Sequence, residues 1–432
     1  MARAKISNKI ELKVYGVRFS PLWKHMVDLI NEKFDEWEKE NLNVKPTYIG
    51  VDMDVELPTI LSTTTKPDIV LISEPYRIRE FGSTGLIIPL TDLPECDKLI
   101  EQLYPHAQRA LTWKQDFWAL PWKNVIHGVI YNRRILDEVG IIKPPDTSDE
   151  LVQQCLKIKE KRISKHPLGL PLAATQRAIE WSWFQQTLGM AEEDYALYDE
   201  DWNPQYLAPN SPAHRALQFI VDCIYKWEIT DLACTESSSS DMIKMMANRR
   251  FVFSNMGFHQ FANLNNSGFS NEPGDFNLIT NLGSHHTFIK TCGWALTRYT
   301  QDKEKERLEA AWEFLKYFGG PRWGKIWATY GGPLFTPYKS VDTDPEVLSF
   351  YKSVGLHLDV YRDMMAHSIP IRKFCPVMKT TFYSSWFYRY VLPNLKRTIA
   401  REKSVSHALS SMHQGFVALK KRHKGKMNMN GT

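Results

Sequence analysis

Strand-length apolar runs and helix-length amphipathic stretches alternate from the start of this chain, and that order limits its fold more than any other feature. Leu12, Val14 and Gly16 mark a first strand. Behind it, Ser20 and Pro21 stand where a helix N-cap and first helical residue belong, and Leu22, Met26, Leu29, Ile30, Phe34 and Trp37 recur at helical spacing. Val44 to Val51 reads as a second strand, and Ile69-Val70-Leu71-Ile72 as a strand buried on both faces. Strands separated by helices predict a parallel sheet and an α/β fold. The pattern returns with a strand over Val125–Tyr131, a short helix from Arg133 to Val139 closed by Gly140, and a helix capped at Thr147 or Ser148. Phe251–Phe253 and Trp294–Thr297 are further strands, and Leu86–Leu90 has buried-strand length. Helices are expected over Lys303–Phe318 and behind Ser404.

At 432 residues the chain is roughly three common domain lengths, which predicts two lobes in place of one core. No stretch approaches the roughly 18 consecutive apolar residues of a membrane helix. The net charge of +5 is concentrated at the C-terminal end, where a solvated tail explains it; no nucleic-acid binding is expected. The six cysteines form no CxxC pair, so a structural metal is not expected. Cys223 and Cys234 are near enough in sequence for a disulfide, while buried free thiols fit equally well.

The commonest local signatures of enzymes are absent: no phosphate loop, dinucleotide fingerprint, HExxH pair or nucleophile elbow occurs. The acids at 192–194 and 199–201 read as solvated surface, and His285-His286 lack a third ligand at defined spacing. Aromatics are abundant instead, with 14 Trp, 18 Tyr and 21 Phe, many beside strand ends and chain breaks. Ligands of open α/β sheets bind at such positions. Flat apolar faces ringed by polar groups suit a sugar, whose C–H face lies on a ring while its hydroxyls find partners.

Several segments resemble bacterial solute-binding proteins of the maltose-binding type. Lys66-Pro67-Asp68-Ile69-Val70-Leu71-Ile72-Ser73-Glu74, followed by Phe81 to Leu90, is similar to one family segment. Trp118 to Trp122 leading to Ile130-Tyr131-Asn132, then Gly140-Ile141 and Pro144-Pro145-Asp146-Thr147, is similar to a second, with Ser148 where Trp is usual. Arg249–Gly257, Cys292–Leu296, Ala311–Leu315, Gly332-Pro333-Leu334, Pro370–Trp386 and Val405–Leu419 extend the likeness over nearly the whole chain.

The resemblance implies a two-lobe periplasmic-binding-protein fold of type II with the ligand cleft between lobes. One lobe is expected from residues 1–120 with 291–342 and the other from 121–290 with 343–425, leaving 426–432 as a tail. It implies a monomeric sugar receptor outside the cytoplasm, handing its ligand to ABC transporter permease subunits, with no cofactor and no catalytic residue. By motif, the ligand set is Arg18, Ser20, Ser73, Glu74, Tyr76, Trp122, Asn124, Trp181, Trp183, His259, Gly293, Trp294 and Trp386. The indoles of Trp181, Trp183 and Trp386 are expected to stack on the ligand, and Glu74, Arg18 and Asn124 to bond its hydroxyls. One acid and one base among aromatics point to a neutral oligosaccharide. The competing reading is a glycosidase-like enzyme, for which Glu74 and Glu180 are the carboxylate pair to watch; a receptor-like sensor for a partner protein is a third.

Overall fold

The computed structural model describes residues 9–19, 23–63, 66–192, 194–265, 270, 272–302, 305–330 and 335–423. Ser20 and the tail 426–432 lie outside them, as do Gly332-Pro333-Leu334 and the side chain of His259, which stands in the helix Phe258–Leu264. Eleven strands are present among the described residues: β1 (Ile10–Val17), β2 (Val44–Val51), β3 (Ile69–Ile72), β4 (Thr112–Trp113), β5 (Asp116–Phe117), β6 (Leu120–Asn132), β7 (Leu168–Gly169), β8 (Phe253–Gly257), β9 (Phe276–Ile279), β10 (Thr287–Leu296) and β11 (Ser368–Pro370). Nine of them join one sheet in the order β2-β1-β3-β10-β6-β8-β7, with β11 beside β10 and β9 beside β6; β4 and β5 form a separate hairpin.

Two long strands make this sheet continuous across two lobes. The first lobe has parallel β1, β2 and β3, and the last residues of β10 run antiparallel to β3, pairing Gly293 with Ile72 and Leu296 with Ile69. β6 starts against that same end of β10 and then continues into the second lobe, where His127–Tyr131 pair with β8 on one edge and Val129–Asn132 with β9 on the other. A strand passing from one sheet into another needs its backbone bonds satisfied throughout. β6 and β10 meet this by pairing with each other through the crossing, with a bulge between Cys292 and Gly293.

Aromatic residues pack in each lobe as parts of one continuous core. In the first, Phe34 and Trp37 of the helix Lys24–Glu40 meet Phe314 edge-on, and Trp294, Phe318, Trp323 and Trp327 continue the stack. In the second, Tyr198 packs on Trp386 and on Phe416 of the C-terminal helix Val405–Arg422, where Ser404 caps the N–H of His407.

The expected elements are mostly present. β2 and β3 have the ends read from sequence, and Thr147 caps the helix Ser148–Glu160. Several expectations need correction: the first helix begins at Lys24 with Trp23 at its cap, not at Ser20 and Pro21, and the strand read at Trp294–Thr297 is the end of the longer β10. The strand at Val125–Tyr131 runs from Leu120 to Asn132, because its first half also pairs with β10. Leu86–Leu90 is no strand: Ile87 makes one bridge to Thr297, and Leu90 N–H donates to Phe117 O. Phe251 and Val252 precede the strand β8, which begins at Phe253. All six cysteines are free and buried, which settles the open question over Cys223 and Cys234.

Candidate functional site

The end of β3 faces the second lobe and supplies an acid. After Ile72 the chain turns through Ser73 and Glu74 into the helix Tyr76–Ser83, so Glu74 sits where a parallel strand ends, the usual ligand position of such sheets. Its side chain is buried, and Lys290 of β10 donates to its Oε1 at 2.5 Å. The pairing of β10 with β3 brings them together: with Gly293 opposite Ile72, Lys290 lies level with the loop that follows β3. Lys290 Nζ also lies 4.2 Å from the centre of the Trp181 ring.

Arg177 comes from the other side. It stands just before the helix Ala178–Gly189 with φ of 56°, a left-handed conformation a non-glycine residue adopts only when its surroundings hold it there. The guanidinium is buried among four rings, with its carbon 5.0 Å from the centres of Tyr76 and Trp181, 5.1 Å from Tyr383 and 4.4 Å from Phe387. Nη2 donates to Glu180 and, at 2.6 Å, to the Tyr383 hydroxyl, which itself donates to Glu180. Nη1 lies 3.8 Å from Glu74 Oε2, on the opposite lobe. Burial raises the Glu180 carboxyl to about 7, and Arg177 opposes the rise. Tyr76 and Tyr383, one from each lobe, meet at 4.6 Å between ring centres.

Further long-range bonds surround this centre. Glu80 accepts from the Ser384 N–H at 3.0 Å and from its hydroxyl at 2.8 Å, Arg79 donates to Lys379 O, and Arg372 donates to Arg109 O. Asn124 ties the strands at the crossing: its Oδ1 accepts from Thr291 at 2.8 Å and its N–H donates to Phe335 O at 2.7 Å.

The structure brings Glu74, Tyr76 and Trp181 of the sequence-derived set into one cluster and places its other described side chains elsewhere. Trp183 is fully buried inside the second lobe, with its indole N–H donating to Ala213 O at 2.9 Å. Residues two apart on a helix point to opposite sides, so Trp181 and Trp183 cannot both face the cleft. Trp386 is equally covered and donates to Met412 O, so the ring-stacking role expected of it and of Trp183 is replaced by core packing. Arg18 is exposed and paired with Glu56 at 2.6 Å. Asn124 spends its side-chain oxygen on Thr291 of β10 and its side-chain N–H on Thr336 O. Trp122 and Trp294 pack on each other, Trp122 also on Trp327 and Trp294 also on Phe318. Gly293 is explained by its backbone, since a Cβ there would meet Leu120 O at 2.7 Å. Ser73 O accepts from the Cys292 thiol at 3.1 Å.

Sequence reasoning missed Lys290, Arg177, Tyr383 and Phe387. The available signal for Lys290 was a lone charge in the strand TFIKTCGWAL, every residue of which is buried. An ionised group in such a run requires a partner.

Residues 33–349, well over half of the chain, match the family of bacterial extracellular solute-binding proteins. The chain belongs to this family. Among curated relatives, this solute-binding protein is 27% identical over 123 residues to the maltotriose-binding protein of Pyrococcus abyssi, covering 28% of this chain and 26% of the relative. It is 22% identical over 239 residues to the melibiose/raffinose/stachyose-binding protein MelE of Bacillus subtilis, covering 51% and 50%. The matched stretches thus span half or less of those relatives' lengths. Among solved structures, the maltose-bound MalE3 of T. maritima superposes with a TM-score of 0.80 at 17% identity, covering 95% of this chain and 100% of that one, which establishes the fold. Among the described residues no group of acids, histidines and cysteines is arranged to hold a metal ion, and no helix is long and apolar enough to cross a membrane.

Proposed function

We propose that this solute-binding protein captures a neutral sugar, an oligosaccharide of the kind its relatives are named for, between its two lobes outside the cytoplasm and delivers it unchanged to the permease subunits of an ABC importer. The observation that carries this reading is the cluster of Glu74, Lys290, Arg177, Tyr76, Trp181 and Tyr383, drawn from both lobes to one place. A ligand that touches both lobes binds the closed arrangement better than the open one, and that difference drives closure. Trp181 and Tyr76 wall the cluster and hold its charged groups, and those groups offer strong hydrogen bonds to hydroxyls. The lobe limits at residues 120/121, 290/291 and 342/343 are proposed as the hinge, and β6 and β10 cross close to the first two.

Glu74 and Glu180 lie in the same cluster, the arrangement a glycosidase reading requires. A hydrolase needs its two carboxylates about 5 to 10 Å apart with the sugar between them. Here the guanidinium of Arg177 stands between them and holds Glu180, so we read binding without turnover. Thermal unfolding against mono- and oligosaccharides, with a polyamine and a phosphorylated sugar as controls, tests the proposal. A sugar at a hundred times its Kd adds about 2.7 kcal/mol to native-state stability. One sugar that raises the midpoint and is recovered intact supports the receptor; a cleaved sugar overturns it in favour of an enzyme, and a response to the charged controls alone overturns the ligand class.

A further inference from the structure

We infer that Arg177 is a specificity-determining residue of the cleft: its Nη1 and the Oε2 of Glu74, one on each lobe, together read a single neutral hydroxyl of the ligand. The inference rests on the sugar reading above and extends it to the atoms that choose the sugar.

Arg177 and Glu74 are both at least nine-tenths buried, yet Nη1 and Nε of Arg177 and Oε2 of Glu74 have no hydrogen-bond partner among the described residues. The hydroxyl of Tyr76, whose ring lies against the same guanidinium, also has none. Buried polar groups are rarely left unpaired, and several around one point indicate a place where something else bonds them. Nη1 and Oε2 are 3.8 Å apart, too far to bond each other and close enough for one oxygen to reach both at ordinary hydrogen-bond lengths.

The two atoms make opposite demands. Nη1 donates and Oε2 accepts, so the bridging group must accept from one and donate to the other. A hydroxyl does both. A carboxylate or phosphate oxygen accepts from Arg177 but offers nothing to Glu74 and is repelled by it; an ammonium donates to Glu74 but offers nothing to Arg177. Glu74 is already paired with Lys290 and Arg177 with Glu180, so a charged ligand group here finds no free counter-charge on either reading residue.

Both reading atoms are held in advance. Glu74 Oε1 is fixed by Lys290, and Nη2 of Arg177 by Glu180 and Tyr383, while four rings confine the guanidinium plane. Because one atom belongs to each lobe, the bridging hydroxyl is fully bonded only when the lobes meet, which makes this contact a trigger of closure as well as of selection.

The test is calorimetric titration of the wild type and of Arg177→Lys with maltose, maltotriose, melibiose and raffinose, then with monodeoxy, uronic-acid and amino forms of the sugar that binds. The lysine variant keeps the charge but loses the fixed fork of donors. One monodeoxy form is expected to bind the wild type about tenfold or more weakly, as for hydrogen bonds to charged groups. The same deletion is expected to cost the variant less than about threefold further. Charged forms at that position should bind no better than the deoxy form. The assignment is overturned by a variant that binds the parent sugar as tightly as wild type, or by a uronic-acid or amino form that binds more tightly than its neutral parent. If the variant does not fold, the deoxy and charged series on the wild type decide alone. A wild type that binds none of the four sugars overturns the sugar reading and this assignment with it, whereas a bound sugar indifferent to Arg177 removes the assignment only.

Discussion

The ammonium of Lys290 lies 2.5 Å from Glu74 Oε1, so a strand that runs through both lobes grips the loop at the end of β3. The two side chains are 10% and 8% exposed, which makes this pair different in kind from the chain's many surface ion pairs. Exposed pairs contribute about 1 kcal/mol or less. Removing one partner of a buried pair leaves the other charge in a poor solvent at a cost of about 3 to 5 kcal/mol.

Lys290→Met is therefore expected to destabilise the protein by about 3 kcal/mol in urea unfolding. Adding Glu74→Gln to it should restore part of the loss, since no unpaired carboxylate then remains, giving a coupling of at least about 1 kcal/mol in the double-mutant cycle. Additive losses would show that the two groups do not interact as the structure has them.

Much of the frame could be read from the residues because burial and periodicity carried it. β3 is four apolar residues between polar flanks, and the flanks set its ends. Burial alone did not suffice at Leu86–Leu90, where Ile87, Ile88 and Leu90 are covered but reach the strands only through isolated bonds, Ile88 N–H to Leu296 O and Leu90 N–H to Phe117 O, and form no ladder. The site was less legible, for a geometric reason. Tryptophan is prominent in sequence, but whether it faces a cleft or a core depends on which side of a helix it occupies, and Trp181 and Trp183 differ in just that. Arg177 and Glu180 lie 206 and 203 residues before Tyr383, and only the fold brings these groups into contact.

Gly293 tests the crossing itself. A Cβ there would lie 2.7 Å from Leu120 O and 3.1 Å from the Ala119 Cβ, at the bulge where β10 changes register against β6. Backbone cannot retreat as a flexible side chain does, so Gly293→Ala is expected to cost about 2 to 3 kcal/mol in urea unfolding. The loss should come without change in the residues that face the cleft. A variant within about 0.5 kcal/mol of wild type would mean that the strands separate at no cost.

Glu80 and Ser384 test closure apart from ligand contact. Glu80, on the first-lobe helix Tyr76–Ser83, accepts both the backbone N–H and the hydroxyl of Ser384 in the second lobe, and Arg77 holds it at 3.2 Å. Losing these bonds should favour separated lobes. For Glu80→Ala we expect a larger radius of gyration in solution scattering and sugar affinity about three- to thirtyfold weaker, from hydrogen bonds to a charged group shared between lobes. Unchanged scattering together with unchanged affinity would remove this contact from the closing mechanism.

Glu180 makes stability depend on pH in a direction opposite to ordinary acid unfolding. Burial is the largest influence on its carboxyl and raises it from the usual carboxylate range to about 7, while Arg177 and the Tyr383 hydroxyl lower it. A carboxyl whose folded pKa lies above its unfolded value binds its proton more tightly when folded, so the unfolded state releases protons first as pH rises. Its contribution is thus favourable at the acid end, and stability declines between about pH 4.5 and pH 7. A shift of that size corresponds to roughly 3 kcal/mol of stability lost across the window, with the opposing pull of Arg177 already included. Glu180→Gln cannot titrate and should lose this decline while keeping a hydrogen bond to Tyr383. The comparison is urea unfolding of both proteins at half-unit pH steps. Parallel curves would mean that Glu180 is ionised throughout, held by Arg177 against the cost of burial.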